Sequence, residues 1–313
     1  MGERENPCAE IEAGISGAIS RTINFLESDD IFHVPDRQSR KKWNGPWWHM
    51  AALYEMGESG RIPELAVARA LKLLKDGAWP RFVVDPADAP QTDSDRAKMD
   101  CCHCELGVFY MVLASCGCDV DAELPWIREW FLKHQLPDGG LNCSPAACRG
   151  SGKSSIASSL PPLEAILFFT NRNYTDAEQR FLDEGARYLI EHRLVCSKKD
   201  SRIINGAWLK PLFPRFFEYD ILRGMYYLVE WSERTGRALP VETINDGLDR
   251  LRSHISPSGV VIGRRVNDPA GDWHGPTFPL MDSVGMVGNV SRYLTHQLNA
   301  VLRAVHRKGR RKT

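Results

Sequence analysis

The chain has 313 residues, with 40 Lys and Arg balanced by 40 Asp and Glu, and is 43% hydrophobic and 26% charged. That composition excludes a largely disordered chain, and the zero net charge excludes binding to nucleic acid through bulk charge. The longest uncharged apolar stretch, residues 106–118, falls short of the ~18–20 residues a membrane span needs, so no transmembrane segment is expected.

Helical periodicity dominates from the start. Ile11, Ile15, Ile19 and Ile23 recur every four residues and predict one stripe of a helix over 9–26. Helix pairs are then predicted over 47–56 and 63–74, 102–115 and 125–134, 160–169 and 176–192, and 220–231 and 241–254. A last long helix is predicted over 283–305, and strands are expected only as short hairpin pieces in the loops. Residues 1–305 read as a single domain and the basic run 306–313 as a solvated tail. The charged N-terminal residues lead into no apolar stretch, so a cytoplasmic protein with reduced thiols is expected.

The pairs keep a beat. Gly57, Gly117 and Gly236 each close the first helix of a pair, which suggests a period of about 60 residues with one unmarked repeat. A second glycine turn follows the second helix, in Asp76-Gly77-Ala78-Trp79, in Gln135-Leu-Pro-Asp138-Gly139-Gly140-Leu141 and around Gly259. First helices are poorer in charge than second ones: 106–117 carries no charge, whereas 124–134 carries Arg128, Glu129, Lys133 and His134. An apolar helix is buried on all sides and a striped one faces water, so the alternation predicts inner and outer layers. The expected fold is all-α, an α/α toroid; a solenoid of helix pairs is the alternative. The long Gly-, Pro- and Trp-rich loops 79–100, 137–157 and 257–281 favour the toroid.

The Gln-x-x-Asp-Gly-Gly turn at 135–140 and the Asp-Gly-x-Trp turn at 76–79 resemble the repeat of the prenyltransferase and squalene-cyclase superfamily. The resemblance covers roughly residues 44–300, and the turn at Gly259 has lost both the glutamine and the aromatic. It implies an α/α toroid whose central cavity holds an isoprenoid-like or other apolar small molecule. The acidic Asp-x-Asp-Asp motif of the cyclases is absent, Asp93-Ser94-Asp95-Arg96 being the nearest string. Asp100-Cys101-Cys102 matches the Asp-x-Cys zinc pair of protein prenyltransferase β-subunits, but their Tyr-His-Thr motif and their partner α-subunit have no counterpart here.

Four groups of residues can carry chemistry. Asp100-Cys101-Cys102-His103-Cys104 joins a carboxylate, thiols and an imidazole where an inner helix begins. Successive helical residues point about 100° apart, so at most two or three of these can share one ion. Asp100, Cys102 and His274 are the candidate zinc ligands, with Cys143 or Cys148 as completing groups and core packing of the thiols as the alternative. His103 is the candidate general acid. The second group, Arg215, Glu218, Tyr219 and Asp220, would put an acid–base set at the cavity mouth, although Asp220 also suits a helix N-terminus. The third, Lys153 and Ser155, would hold an anion ahead of the helix at 160, or simply cap it. Finally Trp47, Trp48, His49 and Trp273 would line the cavity or fill a core. All of the inner-helix starts are expected to face one another across the mouth. The functional expectation is a cyclase- or transferase-type enzyme; a carbohydrate-active α/α-barrel enzyme and a non-catalytic binding module are the alternatives.

Overall fold

The helices that carry little charge are the buried ones. In the computed structural model, which describes residues 7–28, 45–76, 102–144, 147, 152–266 and 277–310, the chain is mostly helical. The elements are α1 (Pro7–Glu27), α2 (Pro46–Glu55), α3 (Glu64–Lys75), α4 (His103–Ser115), the short α5 (Val120–Glu123) and α6 (Trp126–Lys133). They continue with α7 (Ile156–Phe168), α8 (Asp176–Glu191), α9 (Ile221–Thr235), α10 (Val241–Leu251), α11 (Pro279–Val284) and α12 (Arg292–Arg310).

Helix α4 is buried without a break from His103 to Leu113. By contrast, α3 buries only Ala66, Ala70 and Leu74, and α10 only Ile244, Gly247 and Leu251, one stripe each. The buried helices are neighbours in chain order, α2 on α4, α4 on α7 and α7 on α9, while α6, α8 and α10 pack outside α4, α7 and α9. Helix α12 lies on α9 and α10, and α11 lies on α1 and α2. The α4–α7 contact is the closest: a Cβ on Gly107 would stand 2.5 Å from the backbone of Pro161.

The glycine beat has a conformational cause. Gly57, Gly117 and Gly236 take φ of +74°, +85° and +70°, the left-handed conformation that ends a helix without a Cβ penalty. The turn at 135–141 works differently. Gln135 donates from Nε2 to the carbonyls of Gly139 (2.8 Å) and Phe181 (2.9 Å), clamping the turn onto α8. The Leu141 carbonyl then accepts from Ser155 N at 2.8 Å, which ties the turn to the start of α7.

Two element boundaries depart from the sequence expectation. Helix α7 begins at Ile156 rather than 160, because Ser155 caps it by accepting from Ser158 N, and it runs on through Pro161 and Pro162. The single helix expected over 283–305 is two helices with a strand between them. Gly285 packs against the Phe213 carbonyl, Gly288 takes φ of +90°, and Val290–Ser291 pairs with Gly259–Val261, itself paired with Ile255–Ser256, in a three-stranded antiparallel sheet. Helix α12 then continues to Arg310, so the basic run starts inside a helix, where Arg307 pairs with Glu233.

Candidate functional site

Three thiols meet at the start of α4. Cys102 and Cys104 lie two residues apart, a separation that would point them away from each other within a helix. Cys102, however, sits just before the helix at φ −94° and ψ 82°, which brings its Sγ to 3.6 Å from that of Cys104. Cys143, delivered by the chain that leaves the glycine turn, places its Sγ 3.5 Å from Cys104. Its backbone N–H points toward Ser158 Oγ (3.4 Å) in the first turn of α7. All three sulfurs lie within 4.8 Å of one another. A tetrahedral ion with sulfurs at about 2.3 Å separates them by about 3.8 Å, close to the two separations of 3.5 and 3.6 Å, so the set suits a thiophilic metal. The cluster can hold a metal ion. Hydrogen bonding with the Cys102 and Cys104 sulfurs, against the opposing effect of burial, draws Cys143 well below the ordinary thiol range, with help from His103 and Ser158.

His103 is buried, its ring 6.2 Å from that of Trp130 and 6.0 Å from that of His134. Burial lowers its proton affinity, and the nearby Cys143 partly restores it. Asp100, Trp273 and His274, like Cys101 and Cys148, lie outside the described residues. Of the expected ligand set, Cys102 is therefore in place, with Cys104 and Cys143 beside it.

The other candidates have structural partners. Asp220 caps α9 by accepting from Arg223 N (2.9 Å) and pairs with Arg215 at 2.7 Å, both groups being buried. Burial opposes ionisation of Asp220, but Arg215 outweighs it and holds the carboxyl below its usual range. Tyr219 donates to the Leu194 carbonyl at 3.0 Å, and Glu218 pairs with Arg264 at 2.9 Å. These side chains thus point to three different partners. Trp47 and Trp48 are buried against Phe109 (4.1 and 5.9 Å between ring centres), and Trp48 also meets Phe216 and Phe217. His49 stacks between Phe25 at 4.2 Å and Phe278 at 3.9 Å. This side of the inner helices is filled with aromatic packing. Lys153 is exposed, and Ser155 is occupied as the cap of α7.

A cavity of about 680 Å³ is bounded by Tyr54 and Glu55 at the end of α2, Met111 in α4, the second half of α7, α9 and the first turns of α12. In its wall Glu164 is held by Arg223 (2.6 Å), which also donates to the Phe216 and Glu218 carbonyls. Glu55 accepts from the backbone N–H groups of Arg215 (2.8 Å) and Phe216. Burial raises the Glu55 carboxyl above its usual range against the pull of Arg223 and Arg215. None of Glu55, Glu164 and Arg223 belongs to a local motif. Glu55 and Glu164 are marked in the sequence only as the single charges of otherwise uncharged helices, and Arg223 shares its helix with Glu230, Glu233 and Arg234.

Comparison with protein-family models finds no match to this chain, and comparison with characterised proteins and with solved structures finds none either.

Proposed function

We propose that this chain is a zinc-dependent enzyme acting on a largely apolar small molecule, with its zinc held by Cys102, Cys104 and Cys143. The observation that carries the reading is the sulfur cluster itself, with spacings of 3.5 and 3.6 Å at an inner-helix start. The reading is supported by the resemblance to prenyltransferases, whose zinc lies at such a helix start, and three protein ligands are the number that leaves a catalytic zinc one open position. When bound, the ion would supply Lewis-acid activation of a thiol, hydroxyl or water at that position. The chain's own contribution is to fix the three sulfurs on two independent segments, α4 and the 141–143 turn. Ser155 and the Gln135 clamp hold that turn in place. The helical hairpins close as an α/α toroid in this reading, supported by α11 near the C-terminal end of the chain packing on α1 and α2.

A carbohydrate-active enzyme is the second reading, favoured by Glu55 and Glu164 lining one cavity. Against it, both oxygens of Glu164 are taken by Arg223.

The test combines metal content with turnover. Purified protein should carry about one zinc per chain, and Cys143→Ser should lose it with helical circular dichroism unchanged. Allylic diphosphates such as farnesyl diphosphate should be consumed by the native protein and not by the variant. Absence of zinc removes the metal reading. Zinc without turnover leaves a structural ion and removes the enzyme.

A further inference from the structure

A cavity bounded by the ends of α2 and α7, by α9 and by the first turns of α12 lies apart from the thiols. It begins at Met111, seven residues along α4 from Cys104, which at 1.5 Å per residue is about 10 Å away from the thiols. Its volume of about 680 Å³ lies within the ~300–1,000 Å³ of small-molecule sites. One wall is apolar and largely aromatic: Tyr54 faces Phe169 and Phe168 faces Tyr226, both at 6.2 Å between ring centres, with Met111 behind Tyr54.

The charge around this wall is not symmetric. Four arginines line the cavity. Arg215 is matched by Asp220 at 2.7 Å, Arg223 by Glu164 at 2.6 Å and Arg234 by Glu230 at 3.0 Å. Arg292 meets no carboxylate among the described residues; its guanidinium donates only to the Tyr293 hydroxyl, at 2.8 Å. One helical turn further on, His296 presents its ring at the same exposed rim. Both belong to the first turns of α12, whose positive dipole end adds to the same field. Of the carboxylates facing the cavity, Glu164 is paired with Arg223 and Glu55 accepts from two backbone N–H groups, so neither is bonded to Arg292.

We infer that this cavity binds an organic anion with a flat apolar body, the body lying against the wall formed by Phe168, Phe169 and Tyr226 and the phosphate or carboxylate at the rim on Arg292 and His296. The inference stands whether or not the thiols hold a metal, since no residue is shared between the two sites.

Calorimetric titration of the full chain with 1-naphthyl phosphate, 1-naphthoate, 1-naphthol and inorganic phosphate tests it. One of the two naphthyl anions should bind at least tenfold tighter than both naphthol and inorganic phosphate, and the tighter of them names the anionic group. An Arg292→Ala/His296→Ala variant, changed only at two exposed positions, should lose that tenfold preference while keeping its melting temperature. Arg292→Lys should retain most of it. Equal affinity for naphthol and the anions, or a preference that survives the double substitution, overturns the assignment. So does absence of binding by all four.

Discussion

The two ends of the buried helices are built from different materials. At the start of α4 three sulfurs gather beside the buried imidazole of His103 and the buried carboxylate of Glu105, and the start of α7 is lined by the hydroxyls of Ser155, Ser158 and Ser159. Toward the other end of the same helices, ions meet in pairs. Glu164 faces Arg223 in α7 and α9, and Arg128 joins Glu178 at 2.9 Å and Tyr110 at 2.7 Å beyond them. Two of the three thiols, Cys102 and Cys104, are pushed well above the ordinary thiol range by their sulfur neighbours and burial, and a neutral buried thiol packs as a small hydrophobe. A buried ion pair does not tolerate loss of either member. The comparison therefore teaches where this fold is brittle: its charged end should fail when a charge is removed, and its sulfur end when packing is altered.

The largest effect is expected from Arg223→Leu. It leaves Glu164 buried without its counter-ion and frees two backbone carbonyls, at a cost of about 3–5 kcal/mol in urea unfolding. A loss below about 1 kcal/mol would mean that the pair is not buried as described. The acid limb of stability should come from the same end. Burial pushes the Glu178 carboxyl up, but Arg172, the Thr175 N–H and Arg128 outweigh it and bring it down to about 2. The folded value is thus below the ordinary 4.5, so the stabilisation is fully present above about pH 4.5 and is lost as pH falls toward 2. Glu178→Gln should flatten the pH dependence of unfolding in that window, and an unchanged acid limb would assign it to other carboxylates. At the sulfur end, Gly107→Ala should cost about 1–3 kcal/mol, because the new Cβ meets the Pro161 backbone at 2.5 Å. A neutral result there would show that α4 and α7 separate freely.

Much of the helical architecture was legible in the sequence because burial and charge alternate together. Residues 106–117 carry no charge, and the structure buries α4 through Leu113. The closing glycines were legible for a local reason, a left-handed backbone. The break at 285–291 was not, since what interrupts the last helix is a strand pairing with residues some 30 positions earlier and a close contact with Phe213. The thiol site was half legible. Cys102 and Cys104 flank His103 in one string and Cys143 is legible as a completing group, but which of the string's groups meet it depends on the backbone at Cys102 and on a turn held by Gln135. Residues 215–220 stayed ambiguous in the sequence because an acidic and aromatic string at a helix start reads equally well as an acid–base set or as a cap. Asp220, Arg215 and Arg223 take the second course. The cavity left almost no local trace, because Glu55, Arg223, Arg292 and His296 come from three separate helices.

The contrast between the two ends depends most on what the sulfurs hold. Zinc-edge X-ray absorption of the purified protein measures this directly. Three sulfur neighbours at about 2.3 Å with one lighter atom is the predicted result, falling to fewer than three sulfurs in Cys143→Ser. A zinc-free protein, or an ion surrounded only by oxygen and nitrogen, would contradict the assignment of Cys102, Cys104 and Cys143 as a metal centre.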